Sequence, residues 1–520
     1  MAPGSGFRQS MDWLHTWAGV LLGGLLLAVF WTGTLSVFDR EIDRWMQPGT
    51  RLAEPPAVFS LDRLVLPHAK QVAAGAPVWD ITLPTARMPA IQLDYHDPQL
   101  GRTRRFIDPR SGDLIPEQGS WGATRFIFPF HFSLHLGWRS IGYWLVGLAG
   151  MGMLMLVVSG VVAHRKLFKE FFTFRPRKRL QRSTLDLHNL CGVLALPFHV
   201  MISLSGLIIF FLIYFPSATD SLYPEGKQQF QLEALGVYSR LRADEAAPIA
   251  SLDSMRRQAV EMWADRGPSA EPYMLRVWHP GDRHAYVEVR RSFAREMTMN
   301  VDRLIFDGAS GALLHQHRTA PITGVQRFFT GLHFIQYDHW TLRWLYFAGG
   351  LCGCVMIITG LLFWIGARRE RHARRGLLGA RLVESLSVAS STGLILATLA
   401  FFIANRVLPM PGDNSRAALE GSAFFLVWLL ALMHGAIRSK QAWGDQLWAI
   451  VAFACSAVAL NWLSTGDHLL RSLNAGMWAV AGMDLMLLVL AGMSALVARR
   501  ISQAEPQTPR LRQGYKHGEF

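Results

Sequence analysis

The sequence predicts an all-α polytopic membrane protein with about eight transmembrane helices and two periplasmic α+β domains, built on an internal duplication of a helix–domain–helix unit. Three observations predict it. Hydrophobic residues make up 51% of the 520, with 18 tryptophans. Apolar runs approaching the roughly 20 residues needed to cross a 30 Å hydrocarbon core recur along the chain. Motifs in the first half return in the same order in the second.

The runs lie at 14–38, 141–163, 187–215, 342–366, 383–406, 419–437, 446–464 and 473–498. The first continues through Phe30, Trp31, Val37 and Phe38 without a small-residue cleavage site, so residues 1–38 are expected to remain as a membrane helix. Arg165, Lys166, Lys169, Arg175, Arg177, Lys178, Arg179 and Arg182 crowd the loop after the second run, in the region 141–215. Arg368, Arg369, Arg371, Arg374, Arg375 and Arg381 follow the fourth run, 341–366, and Arg499 and Arg500 open the tail, 499–520. Short loops rich in Lys and Arg stay in the cytoplasm, which places both termini there and the chain in a bacterial inner membrane.

The polar segments 39–140 and 216–340 then fall in the periplasm. Each has a helical stretch, strand-like alternation and a closing turn. The turns are Asp108-Pro109-Arg110-Ser111-Gly112 and Asp307-Gly308-Ala309-Ser310-Gly311, where Asp bonds the backbone and Gly supplies positive φ. Ser60-Leu61-Asp62 and Ser251-Leu252-Asp253 open the two segments alike. Leu14-His15 through Gly19 aligns with Leu187-His188 through Gly192, and Thr32-Gly33 with Ser205-Gly206. Leu134-His135 aligns with Leu332-His333 and Ser159-Gly160 with Thr359-Gly360, allowing two inserted residues. Residues 383–498 carry neither signature and read as a four-helix membrane extension.

Ionisable side chains at membrane depth are costly and mark function by default, and here they are almost all histidines. A lone interfacial histidine is ordinarily an anchor or a cap. Recurrence at matched positions argues otherwise for His15 and His188 at the inner ends, and for His135 and His333 at the outer ends. His199 follows His188 by 11 residues, which on one straight helix gives a shared face and a rise of roughly 16 Å. It has no repeat partner, because Leu26 stands at the equivalent place. His164 and His131 are weaker candidates for the same role.

Imidazoles on facing apolar helices suit axial ligation of haem iron. Directly bound copper or iron would bring clustered carboxylates, thiolates or methionines beside them. The expectation is two non-covalently bound b-type haems: an inner one on His15 and His188, an outer one on two of His135, His199 and His333. Covalent c-type attachment, zinc ribbons and iron–sulfur clusters are argued against, since no CxxC occurs and Cys191, Cys352, Cys354 and Cys455 fall inside apolar runs. The net charge of +14 gathers beside membrane helices instead of forming a nucleic-acid surface. No glycine-rich nucleotide fingerprint opens a helix, so electrons must come from a membrane quinol or a separate cytoplasmic reductase.

Over residues 8 to about 370 the chain resembles the PepSY-associated transmembrane family, the iron-regulated membrane proteins that include bacterial ferric-siderophore reductases. The Leu-His-x-x-x-Gly starts, the two Leu-His pairs, the Ser/Thr-Gly exits and the Asp-Pro-x-x-Gly turn carry the likeness. The resemblance implies reduction of a periplasmic ferric chelate, such as a ferric siderophore, to Fe(II). His164, the extension at 383–498 and Asp307-Gly308 in place of Asp-Pro depart from the pattern. Two other readings fit the same composition: a ligand-sensing or peptidase-regulating protein without redox activity, and a transporter of iron or its chelate.

Overall fold

The computed structural model describes residues 3–99, 101–164, 180–217, 221, 223, 227–373, 378–409, 415–438 and 441–504. Of the basic residues used to orient the chain, 165–179, Arg374 and Arg375 lie outside them, as do residues 505–520 of the tail. Among the described residues, seven helices are long and apolar enough to cross a membrane, and a bent pair makes eight. The chain is a membrane protein.

The spans are Gly6–Ser36, Trp138–Ala163, the bent pair, Trp340–Arg368, Arg381–Val407, Arg416–Ile437, Ala442–Thr465 and Trp478–Gln503. The third is not one straight helix. Gln181–Leu194 and Leu196–Ile209 meet at 65°. Pro197 in the first turn of the second piece removes a main-chain donor, and the break falls just ahead of it. His188 and His199 therefore sit on differently directed helices, and the single-face argument linking them fails.

The first four spans form one bundle and the last four pack beside it. Arg381–Val407 is the innermost of the added helices, with Phe401, Phe402 and Leu399 buried in a core that also takes in Trp45, Phe126 and Phe130. The addition grips the first half through buried polar contacts. Trp45 Nε1 donates to Asp484 at 2.8 Å, Arg51 pairs with Asp467 at 2.7 Å, and Ser120 donates to Glu420 at 2.6 Å. Such contacts hold position because each buried charge would be costly without its partner.

The two polar segments do not fold as separate sheets. Among the described residues β1 (Val78–Thr82), β2 (Ile91–Asp97), β3 (Gly101–Ile107), β4 (Leu114–Ile115), β5 (Pro272–Trp278), β6 (Tyr286–Arg291), β7 (Arg303–Asp307) and β8 (Leu313–His317) share one sheet in the order β4-β3-β2-β1-β5-β6-β7-β8. β1 (Val78–Thr82) runs antiparallel to β5 (Pro272–Trp278), with Trp79 opposite Val277 and Ile81 opposite Leu275. Pairing these strands removes the exposed edge each half would otherwise carry. Strand alternation puts Ile81, Leu93, Leu275 and Val287 on one face, under helices Leu66–Val72 and Leu252–Met262. The expected turns close β3 (Gly101–Ile107) onto β4 (Leu114–Ile115) and β7 (Arg303–Asp307) onto β8 (Leu313–His317), with Gly112 at φ 82° and Gly311 at φ 79°.

Candidate functional site

Two facing pairs of imidazoles occupy the bundle. His15 Nδ1 meets the main-chain oxygen of Leu156 on the second span at 2.9 Å, and His188 Nδ1 meets that of Met356 on the fourth at 2.8 Å. A carbonyl only accepts, so Nδ1 carries the proton in each ring and Nε2 is left as the bare acceptor. The ring centres are 6.1 Å apart with planes at 80°. Both rings line a cavity that Gly19, Gly192 and Trp364 also wall.

The second pair is His131 and His333, with ring centres 6.0 Å apart and planes at 26°. Their helices, Phe128–Ser133 and Pro321–Phe334, precede the second and fourth spans and lean against the first span and the Leu196–Ile209 helix. His131 Nδ1 meets Val29 O at 2.9 Å, and His333 Nδ1 lies 3.1 Å from Ser205 Oγ. Ser205 directs its own proton to Met201 O, so its oxygen accepts from His333. These rings line a second cavity with Gly33, Gly206 and Phe198. Leu26 and Met153 wall both cavities, which therefore adjoin within the bundle.

All four histidines rest on one local design. Beside each, a Ser or Thr back-bonds to its own helix, for His131, His15 and His188 three residues beyond the receiving carbonyl: Thr32 to Ala28 O, Ser159 to Met155 O and Thr359 to Val355 O, with Ser205 to Met201 O beside His333. Glycine follows. An imidazole reaching the carbonyl of one helical residue passes over the residue four further on, and a Cβ there would block it. A methyl group on Gly33 would stand 2.7 Å from His131 Cε1, and one on Gly160 2.9 Å from His15 Cε1. The Thr/Ser-Gly pairs of the sequence are histidine seats.

His135 turns elsewhere. Its Nε2 meets Phe126 O at 2.9 Å and its ring stacks on Phe126, away from His333. The ring that faces His333 is that of His131, so matching Leu134-His135 to Leu332-His333 pairs it with an imidazole that points elsewhere. The missed signal is Arg125-Phe126 with His131-Phe132, which superposes on Arg327-Phe328 with His333-Phe334 at one constant offset. His199 is fully buried between the rings of Phe30 and Phe198, with neither nitrogen hydrogen-bonded among the described residues, and it faces neither pair. His164 lines the inner cavity, its Nε2 held 2.9 Å from Asn189 Nδ2. Among the described residues no group of three or more His, Cys, Asp or Glu is placed to hold a metal ion.

Fold and site together define a polytopic helical membrane protein with two histidine pairs in its bundle and a shared antiparallel sheet joined to it. The chain belongs to the PepSY-associated TM region family, which matches residues 13–367. That match takes in both histidine pairs and the whole sheet and ends before the four added helices. Uncharacterized protein PA4219 of Pseudomonas aeruginosa is 27% identical over 407 residues, spanning 74% of this chain and 96% of the relative.

Proposed function

We propose that this chain is an inner-membrane b-type haem oxidoreductase that passes electrons across the bilayer to ferric chelates in the periplasm, releasing Fe(II). The observation that carries this reading is the two imidazole couples, with ring centres 6.1 and 6.0 Å apart. Ring centres about 6 Å apart would leave room for one haem iron to be held by the two imidazoles of each couple. Two imidazole donors per site, with no group of three or more His, Cys, Asp or Glu placed for a metal ion among the described residues, would suit a haem.

His15 and His188 would hold the inner haem, and His131 and His333 the outer. The residues fit that group. The Nδ1–H bonds to Leu156, Met356 and Val29 fix the tautomer and orient each ring, as outer partners of metal-bound histidines do. Glycines line both cavities, leaving room beside each imidazole couple. When bound, haem supplies one-electron iron chemistry; the chain's own work is to hold, orient and exclude water.

The four matching seats support descent by duplication. The reading places the sheet in the periplasm as two PepSY-like halves, both termini in the cytoplasm, and a quinol or cytoplasmic reductase as donor. Purification in mild detergent, with spectra before and after reduction, tests it. Two haems per chain and a reduced α-band are expected. A colourless, fully folded protein would sink the redox reading and leave the sensor or transporter.

A further inference from the structure

The cavity of His15 and His188 is unequal at its two ends. Asp12, His164, Asn189 and Arg368 line it where the second and fourth spans finish, whereas Leu26 and Met153 wall it towards the middle of the bundle. A lining of this kind fits a ligand with an apolar body and one charged edge. Haem has that form, since both of its carboxylates lie on one edge of an apolar ring.

Helix geometry places the polar groups beside the imidazole couple. His164 stands four residues beyond Gly160, over which His15 passes, and Trp364 stands four beyond Gly360, over which His188 passes. Each is therefore one turn further along the same face. Arg368 adds another turn and lies over the indole of Trp364, its Cζ 4.7 Å from the ring centre. A guanidinium held on an aromatic face keeps a set direction, and its forked N–H groups match a carboxylate in two bonds. His164 Nε2 accepts from Asn189 Nδ2 at 2.9 Å, which leaves the proton of the neutral ring on Nδ1 as a further donor. Asn189 adjoins His188 in sequence, and His164 is an electrostatic neighbour of His188. Asp12 is the one acid among the described residues lining this cavity, and it is exposed at the rim, where water and salt screen it. Among the described residues, no Lys or Arg lines the cavity of His131 and His333.

We propose that Arg368, flanked by His164 and Asn189, is a carboxylate clamp that takes the propionates of a haem held by His15 and His188. The inference rests on the haem reading above and gives Arg368 a positioning role. It determines which edge of the ring meets the polar end of the cavity and which meets Leu26 and Met153. Without a cationic counterpart at the other cavity, the clamp acts on one site alone.

The test is porphyrin binding by the full chain, produced under haem limitation and held in zwitterionic nanodiscs. Haemin and haemin dimethyl ester share iron and ring and differ only in the two carboxylates, and the Soret band follows both titrations. In a His131→Ala background, which leaves the His15–His188 couple to fill, haemin is expected to bind at least about tenfold more tightly than the ester. Arg368→Gln should weaken haemin about fivefold and leave the ester unchanged, which also reports on folding; Arg368→Lys should keep part of the preference. In the chain with His131 restored, Arg368→Gln should weaken one of two bound equivalents. Equal binding of haemin and ester, or a preference that survives Arg368→Gln, would overturn the clamp and leave the haem reading intact. An equal loss of both ligands in Arg368→Gln would assign Arg368 to packing on Trp364 and overturn it too. If neither porphyrin shifts its Soret band on the wild-type chain, the haem reading itself fails and takes this inference with it.

Discussion

Val29 and His131 are joined by a 2.9 Å hydrogen bond from imidazole Nδ1 to main-chain oxygen, and the bond passes over Gly33. A Cβ at Gly33 would stand 2.7 Å from the ring, closer than real Cβ contacts come, so the ring and not the helix must move. Gly33→Ala is therefore expected to displace His131 and lower haem content from two per chain towards one. Gly160→Ala, with its Cβ 2.9 Å from His15, should do the same at the other pair. Full haem content with unshifted potentials in both variants would show that these glycines serve helix packing alone.

Which imidazoles matter is settled by comparing neighbours. His131→Ala should remove one haem, while His135→Phe should keep both, because His135 is committed to Phe126 O and its ring already stacks like a phenylalanine. His199→Leu should also keep both, since its ring packs between Phe30 and Phe198. Haem counted per chain by the pyridine adduct decides. Two haems retained in His131→Ala and one lost in His135→Phe would reverse the assignment.

Asp43 connects the helix after the first span to the start of the His131 segment. Its carboxylate accepts from the amides of Ala123 and Thr124 at 2.6 and 3.2 Å and from the Thr124 hydroxyl at 2.5 Å. Burial nevertheless dominates these bonds and pushes its pKa up to about 6. A folded pKa above the unfolded value of about 3.8 means that the folded state binds the proton more tightly, so stability falls as pH rises between those values. The loss is on the order of 2–3 kcal/mol once Asp43 is ionised. Amide exchange at 123–124 should quicken between pH 4 and 6 beyond its intrinsic rise, and Asp43→Asn should flatten that excess. An excess that persists in the variant would place the titrating group elsewhere.

Much of this arrangement is legible in the sequence. Spans announce themselves because a bilayer demands a fixed apolar length, and the turns at Asp108 and Asp307 because Asp and positive-φ Gly have few other uses together. His15 and His188 stand out as repeated ionisable residues in apolar runs. The rest depends on atoms or distances that a residue string does not display. The carbonyls of Val29, Leu156 and Met356 are main-chain groups present at every position, visible only through the Ser/Thr-Gly that clears a path to them. His131 is obscured because His135 offers a closer dipeptide match to His333. The joining of β1 to β5 is a long-range pairing with no local signal. The bend before Pro197 could have been read, since proline disfavours a continuous helix.

The union of the two sheet halves makes its own prediction. Asp253 accepts from Leu61 N at 2.8 Å and from the Ser60 hydroxyl at 2.5 Å, while Asp62 accepts from Leu252 N at 2.7 Å and from the Ser251 hydroxyl at 2.5 Å. Each acid thus caps the helix of the other half, where the free amides of a first turn favour a negative charge. Because Ser60 and Ser251 also cap their own helices through Arg63 N and Ser254 N, both caps form one network. Asp62→Ala or Asp253→Ala is expected to cost about 1–2 kcal/mol, and the double variant less than the sum, since removing either acid already loosens the shared contact. Hydrogen exchange along β1 and β5 in the full chain measures it, with protection falling on both strands whichever acid is removed. Loss confined to the mutated half would mean that the halves are held by strand pairing alone and that the crossed caps add nothing to the joint.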